Sequence, residues 1–155
     1  MPASADVFRA RILLVDDQEC NVRLLEYALR RGRYVAVSST TNPLEVCELH
    51  RQNRYDLILL DLQMPGMNGL EVMEGLGKVE GVDKAAVLVL SADPAQMAQA
   101  LKAGASGFLS KPFHLDEVLR QIQLTLEKTM SRDVEEPVPL QTTVPPAVSR
   151  LRAIS

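Results

Sequence analysis

The sequence predicts an α/β protein built on a doubly wound, five-stranded parallel sheet with strand order 2-1-3-4-5. Three observations support this fold class. Short apolar runs recur along the chain, segments with helical spacing separate them, and the two kinds of segment alternate five times. Alternation of this kind requires right-handed crossovers between parallel strands, which place helices on both faces of the sheet.

Each predicted strand is an apolar run in which polar residues do not alternate. Strands buried on both faces of a parallel sheet have this pattern, because neither face meets water. The runs are ILLV (12–15), VAV (35–37), LILL (57–60), VLVL (87–90) and the weaker FL (108–109).

The segments between these runs place apolar residues at helical spacing, which is typical of helices with one buried face. Two of them begin with a capping residue followed by proline, Asn42-Pro43 and Asp93-Pro94, and such pairs favour a helix start. Gly32 and Gly104 stand where two helices are predicted to end. The predicted helices cover residues 20–31, 43–52, 68–78, 94–103 and 115–129.

Composition limits the class of protein. The chain has 155 residues, of which 46% are hydrophobic and 24% charged, and its net charge is -3. These values are typical of one globular domain and give no basic field for nucleic acid. No apolar run approaches the roughly 18 residues of a membrane helix, and residues 1–10 lack a secretory signal. We interpret Cys20 and Cys47 as free thiols of a cytoplasmic protein.

The chain divides into three parts by composition. Residues 1–10 form an N-terminal extension and residues 11–130 form the folded domain. Residues 131–155 carry four prolines and no helical stripe, which favours a linker or a disordered tail.

Three carboxylates are predicted to meet at one edge of the sheet. Asp16 and Asp17 follow strand one, and Asp61 follows strand three. With this strand order the two strands are neighbours, and their carboxyl ends emerge at the same edge. Crowded carboxylates repel unless a cation joins them, and oxygen ligands suit Mg²⁺. Acids after a strand also cap the next helix, but an adjacent pair with a third acid favours a metal site.

Two further side chains are predicted at this edge. Ser91 follows strand four, and Lys111 follows strand five. A lysine there can pair with an anion. Either residue alone is ordinary, as a strand terminator or a surface lysine, but the set in this order favours a functional site.

The segments LLVDD (13–17), LILLDLQMPGMNG (57–69), VLVLSA (87–92) and GASGFLSKPF (104–113) resemble the receiver domains of bacterial two-component response regulators. The resemblance covers roughly residues 11 to 130 and implies a flavodoxin-like (βα)5 fold. It implies a signalling module, with no enzymatic activity beyond its own aspartyl phosphorylation and dephosphorylation.

The resemblance assigns a role to each matching position. It implies a phosphoacceptor, a Mg²⁺ site that includes one backbone carbonyl, two residues that contact the phosphoryl oxygens, an aromatic switch residue and a cis peptide bond. The phosphoacceptor would be Asp61, and the Mg²⁺ ligands would be Asp16, Asp17, Asp61 and the backbone carbonyl of Gln63. Ser91 and Lys111 would contact the phosphoryl oxygens. The aromatic switch residue would be Phe108, and the cis peptide bond would be Lys111-Pro112. Without the resemblance, Phe108 would be interpreted as an ordinary core residue of an edge strand.

The resemblance also implies partners. The phosphodonor would be a histidine kinase or phosphotransfer protein. Phosphorylation would alter the face formed by the predicted helix 94–103, strand five and the predicted helix 115–129 (the α4-β5-α5 face), and this face would signal to an output partner, a C-terminal output domain or a second copy of the chain. We further expect Gln63 and Asp93 to tune hydrolysis of the acyl phosphate, His114 to lie at the surface, and His50 to lie at a helix end, where it favours the helix dipole.

Three alternatives remain. A Mg²⁺-dependent phosphohydrolase would need a second acid where the chain has Gln63. A flavin-binding module would need a Ser-, Thr- and Gly-rich loop after strand one, where the chain has Asp16-Asp17. The third alternative is a receiver-like domain that binds partners without phosphorylation.

Overall fold

The computed structural model describes residues 7–64, 69–79 and 84–135, with side chains as far as Met130. Five parallel strands form one sheet in the order β2-β1-β3-β4-β5, which confirms the predicted fold class and topology. The strands are β1 Arg11–Val15, β2 Ala36–Thr40, β3 Leu57–Asp61, β4 Ala86–Ser91 and β5 Gly107–Ser110.

A helix follows each strand, as the sequence predicts. Four helices end within two residues of their predicted ends, whereas the last continues to Glu135, into the segment predicted as a linker. The rest of that segment, 136–155, and residues 1–6 lie outside the described residues. The helices are α1 Glu19–Arg31, α2 Val46–Asn53, α3 Gly69–Leu76, α4 Pro94–Lys102 and α5 Leu115–Glu135, and a 3₁₀ turn, Pro43–Glu45, precedes α2.

The sheet separates two hydrophobic clusters. Alternate strand residues face opposite sides, so that Ile12 and Leu14 join one cluster while Leu13 and Val15 join the other. Helices α1 and α5 cover the first side, and α2, α3 and α4 cover the second. This two-sided burial explains why the central strands are continuously apolar.

Strand β2 differs from its prediction. The apolar run indicated residues 35–37, but the strand spans Ala36–Thr40 and pairs with β1 along its whole length. It is an edge strand, and Ser38 and Ser39 are exposed. Because apolar runs mark only strands with two buried faces, they could not define an edge strand that meets water.

Two glycines predicted to end helices have different roles. Gly104 adopts φ +108 after α4, the left-handed conformation that glycine tolerates best. Gly32 instead has φ -78, and the left-handed position after α1 is taken by Arg33. A Cβ on Gly32 would lie 2.9 Å from Leu119 Cδ2. Gly32 therefore allows α1 and α5 to pack closely at this point.

The described part of the N-terminal extension packs into the core. Val7 and Ala10 are buried in the same cluster as α1 and α5. The Phe8 ring lies 5.2 Å from the Tyr34 ring, centroid to centroid, and the Phe8 carbonyl accepts a hydrogen bond from the Val35 N–H. Residues 7–10 thus contribute to the fold.

His50 lies in the last turn of α2, at the predicted helix end, but its side chain is buried. Its side chain is 2% exposed, its Nδ1 accepts a 3.1 Å hydrogen bond from the Tyr55 N–H, and its ring stacks on the Tyr55 ring. The helix-end position of His50 suggested a role near the dipole, but the α2-β3 loop folds back over it.

Cys20 and Cys47 are both free thiols, as predicted. In the part of the chain that the structure describes, the helices are all too short or too polar to cross a membrane.

Candidate functional site at the carboxyl edge of the sheet

The carboxyl ends of the strands bring the predicted site residues to one edge. Asp61 and Ser91 are the last residues of β3 and β4, and Asp16 directly follows β1. These three side chains are 2%, 0% and 3% exposed, respectively. Because these polar groups are shielded from water, they need hydrogen-bond partners within the protein.

The Asp61 carboxylate is held through one of its two oxygens. Lys111 Nζ lies 3.0 Å from Oδ1, and the Gln63 N–H donates to the same Oδ1 at 3.0 Å. Among the described residues, these are the hydrogen bonds that the carboxylate accepts. The ammonium group of Lys111, which follows β5, therefore compensates the charge of Asp61 and leaves Oδ2 without a donor from this part of the chain.

Asp16 experiences a second negative charge at close range. Burial raises the pKa of its carboxyl group, and repulsion from Asp61 adds to this effect. The Gln18 N–H donates to Asp16 Oδ1 at 2.9 Å and opposes it. The site thus holds a carboxylate whose charge is unfavourable without a cation.

The three carboxylates could share a metal ion. Asp16, Asp17 and Asp61 each offer one oxygen, and these atoms lie within 4.8 Å of one another. Hard oxygen donors with room for water ligands are what Mg²⁺ prefers. The chemistry of this donor set therefore fits Mg²⁺.

The Ser91 hydroxyl accepts one hydrogen bond and donates another. The Asp93 N–H donates to Ser91 Oγ at 3.0 Å, and Oγ donates to Gln96 Oε1 at 2.8 Å. The Ser91 carbonyl also accepts a hydrogen bond from the Lys111 N–H at 2.9 Å, which joins the ends of β4 and β5. The Lys111-Pro112 peptide bond that follows is cis, as the resemblance implied.

Comparison with known proteins identifies the family. Residues 12–123 match the response regulator receiver domain family. The chain belongs to this family. Its receiver domain is 29% identical over 112 residues to the chemotaxis protein CheY of Thermotoga maritima, covering 72% of this chain and 93% of CheY. It is 36% identical over 132 residues to the transcriptional regulatory protein KdpE of Mycobacterium tuberculosis, covering 82% of this chain and 56% of KdpE.

Solved receiver domains share the fold. The signal receiver domain of a response regulator from Bermanella marisrubri superposes with a TM-score of 0.71 at 30% identity, covering 76% of this chain and 98% of that one. Some longer relatives are matched only in part. The chain is 35% identical over 127 residues to the sensor histidine kinase AruS of Pseudomonas aeruginosa, covering 78% of this chain but 12% of AruS.

The remaining predicted residues lie on strand β5 or two residues after strands β3 and β4. Phe108 is 43% exposed on β5, so it is not the core residue that the alternative interpretation required. The Gln63 side chain is exposed beside Asp61. Asp93 caps α4, where its Oδ1 accepts a hydrogen bond from the Ala95 N–H at 2.9 Å.

Sequence reasoning missed two residues that shape the site. Gln96 accepts the Ser91 hydrogen bond, and its only sequence signal is its place three residues after the cap Asp93. Gly69 starts α3 against the loop after Asp61, where a Cβ would lie 2.7 Å from the Leu62 Cα and 3.0 Å from the Asp61 carbonyl oxygen. Its place in the motif MNG (67–69) was visible, but the close backbone approach was not.

Proposed function

We propose that this receiver domain accepts a phosphoryl group on Asp61, in a Mg²⁺-dependent reaction, and changes its α4-β5-α5 face in response. The arrangement of Asp61 carries the proposal. Its buried carboxylate has Lys111 on one oxygen, two further carboxylates nearby and a second oxygen without a donor among the described residues. Phosphoryl transfer needs this kind of positioning and charge compensation more than acid–base groups.

The transfer forms one bond and breaks one. Asp61 Oδ2 attacks the phosphorus of a phosphohistidine or a small acyl phosphate, and the product is an acyl phosphate on Asp61. The bond from phosphorus to the donor nitrogen or oxygen breaks, and its electron pair leaves with the donor. Lys111 stays beside the carboxylate, where its positive charge offsets the negative charge of the incoming phosphoryl oxygens.

Asp16, Asp17, Asp61 and the backbone carbonyl of Gln63 would hold Mg²⁺. When bound, the ion would neutralise negative charge on the carboxylates and the phosphoryl group. The raised pKa of Asp16 is consistent with a site in which positive charge is favourable.

The switch joins the acceptor to a distant surface. A phosphoryl group on Asp61 would attract the Ser91 hydroxyl, and the Ser91 loop would move towards it. Phe108, exposed on the neighbouring strand, would then turn into the space vacated. A shift from about 1:99 to 99:1 requires about 5.5 kcal/mol of differential interaction, to which several charge-assisted hydrogen bonds contribute.

The partners follow from this chemistry. The phosphodonor would be a histidine kinase or phosphotransfer protein in the cytoplasm. The α4-β5-α5 face exposes Leu101, Phe108 and Leu124, each 43–49% exposed. These side chains suit an apolar contact with an output partner, an output domain or a second copy of the chain.

Intact mass after incubation with acetyl phosphate tests the proposal. We expect one added phosphoryl group on the wild type with Mg²⁺, and none without Mg²⁺ or with Asp61→Asn. Asp116→Asn is the matched control, because Asp116 is an exposed aspartate in the first turn of α5. It should be phosphorylated like the wild type.

Two results would contradict the proposal. Addition that persists in Asp61→Asn would place the acceptor elsewhere. The absence of any addition, together with no Mg²⁺ binding by calorimetry, would instead favour a receiver-like domain that binds partners without phosphorylation.

A further inference from the structure

The hydroxyl of Ser91 has a single proton to donate, and Gln96 Oε1, at 2.8 Å, is a closer acceptor than the Asp93 carbonyl oxygen, at 3.5 Å. Ser91 Oγ donates to Gln96 Oε1 at 2.8 Å, and Ser91 is completely buried. A hydroxyl can accept two hydrogen bonds but donates only one. Ser91 therefore cannot donate to a phosphoryl oxygen and to Gln96 Oε1 at the same time.

Gln96 makes an unusual contact for a residue in the first turn of a helix. Asp93 is the N-cap of α4 and Gln96 is three residues on, the spacing of a capping box. In a capping box the glutamine would accept from the N–H of the cap residue. Here the Asp93 N–H donates to Ser91 Oγ instead, at 3.0 Å, and Gln96 turns to the Ser91 hydroxyl. The first turn of α4 is thus tied to Ser91 by a side chain.

We propose that Gln96 is a positioning residue that holds Ser91 in the unphosphorylated arrangement and so sets the threshold of the switch. This inference rests on the proposed function. The Asp93 N–H can stay with Ser91 Oγ when the loop moves, since it lies only two residues away. The bond to Gln96 is then the one that the hydroxyl must give up to reach a phosphoryl group on Asp61.

Two substitutions of Gln96 should act in opposite directions. Gln96→Leu removes the acceptor with little change in size, which frees the Ser91 proton. We expect the equilibrium constant for phosphorylation by acetyl phosphate to rise roughly threefold to tenfold, the equivalent of one neutral hydrogen bond. Gln96→Glu keeps an acceptor and adds a negative charge, so the same constant should fall below that of the wild type. A purely structural role for Gln96 would make both variants worse.

Two controls separate this role from general effects on the helix. Gln99→Leu makes the same change at an exposed position of α4 and should leave phosphorylation unchanged. In a Ser91→Ala background the hydroxyl is absent, and Gln96→Leu should then have no effect. A second readout needs no phosphodonor: the amide NMR shifts of residues 91–97 in unmodified Gln96→Leu should move towards those of the phosphorylated wild type.

The outcomes distinguish the two proposals. If the wild type takes up no phosphoryl group, the proposed function fails and this inference falls with it. If the wild type is phosphorylated but Gln96→Leu and Gln96→Glu both match it, the function stands and the role of Gln96 is refuted. An effect of Gln96→Leu that persists in the Ser91→Ala background would also refute it, because the effect would not pass through Ser91.

Discussion

Asp16 is a buried negative charge close to a second one. Burial and Asp61 both raise the pKa of its carboxyl group above the ordinary value of 3.8. A carboxyl group whose pKa is raised by folding binds its proton more tightly in the folded state. The metal-free domain should therefore lose stability as the pH rises from 3.8 through the raised pKa, and the full loss should be present above it.

Asp16→Asn should relieve this loss. The amide oxygen can still accept from the Gln18 N–H, while the repulsion with Asp61 disappears. In metal-free buffer at pH 7 we expect a gain of about 1 kcal/mol in the free energy of unfolding, the size of like-charge repulsion across about 4 Å in water. Urea unfolding with EDTA between pH 4 and 8 measures it. A variant less stable than the wild type throughout that range would refute the repulsion.

The site residues that sequence reasoning found are those whose position follows from topology. Asp16, Asp61, Ser91 and Lys111 all lie at or directly after the ends of strands, and parallel strands end at one edge. Gln96 and Gly69 were missed because their roles depend on side-chain direction and on backbone approach. Neither quantity has a pattern in the one-letter sequence.

The Asp93 side chain caps the N-terminus of α4. Asp93 Oδ1 accepts from the Ala95 N–H at 2.9 Å, and Pro94 occupies the first helical position. Asp93→Ala should lower the free energy of unfolding by about 1 kcal/mol, the usual cost of a lost N-cap. Asp93→Ser should retain most of that stability, because serine caps almost as well.

The same pair of variants tests whether Asp93 tunes hydrolysis of the acyl phosphate. If its negative charge guides water, Asp93→Ser and Asp93→Ala should both change the lifetime of the phosphorylated protein, measured by mass after removal of acetyl phosphate. A lifetime that changes only in Asp93→Ala would instead attribute the effect to loss of the cap. An unchanged lifetime in both variants, and in a variant that also replaces Gln63, would refute the role in hydrolysis.

At the level of the elements, strong local signals predicted well and edge positions did not. The cap-proline pairs at Asn42-Pro43 and Asp93-Pro94 both start helical turns, and both asparagine and aspartate side chains accept the expected hydrogen bond. The end of α1 at Arg31 was predicted correctly, but the span of β2 and the conformation of Gly32 were not. Their geometry depends on solvent exposure at the sheet edge and on contact with α5, which are tertiary effects.

For the whole molecule, the five-fold alternation of strands and helices was enough to predict the topology. The boundary of the domain was harder to predict, because residues 7–10 are too few to show a periodic pattern. Val7 is nevertheless 0% exposed and shares a cluster with Leu126 of α5. The core thus joins the beginning of the described chain to its last helix.

Val7→Ala and Val35→Ala make the same change at a buried and an exposed position. Val7 is 0% exposed and Val35 is 78% exposed. We expect Val7→Ala to lower the free energy of unfolding by about 1–3 kcal/mol, since it removes buried methyl groups and leaves a cavity. Val35→Ala should change it by less than about 0.5 kcal/mol. Urea unfolding measures both, and equal losses would mean that the packing of Val7 adds nothing and that the stable domain begins near residue 11.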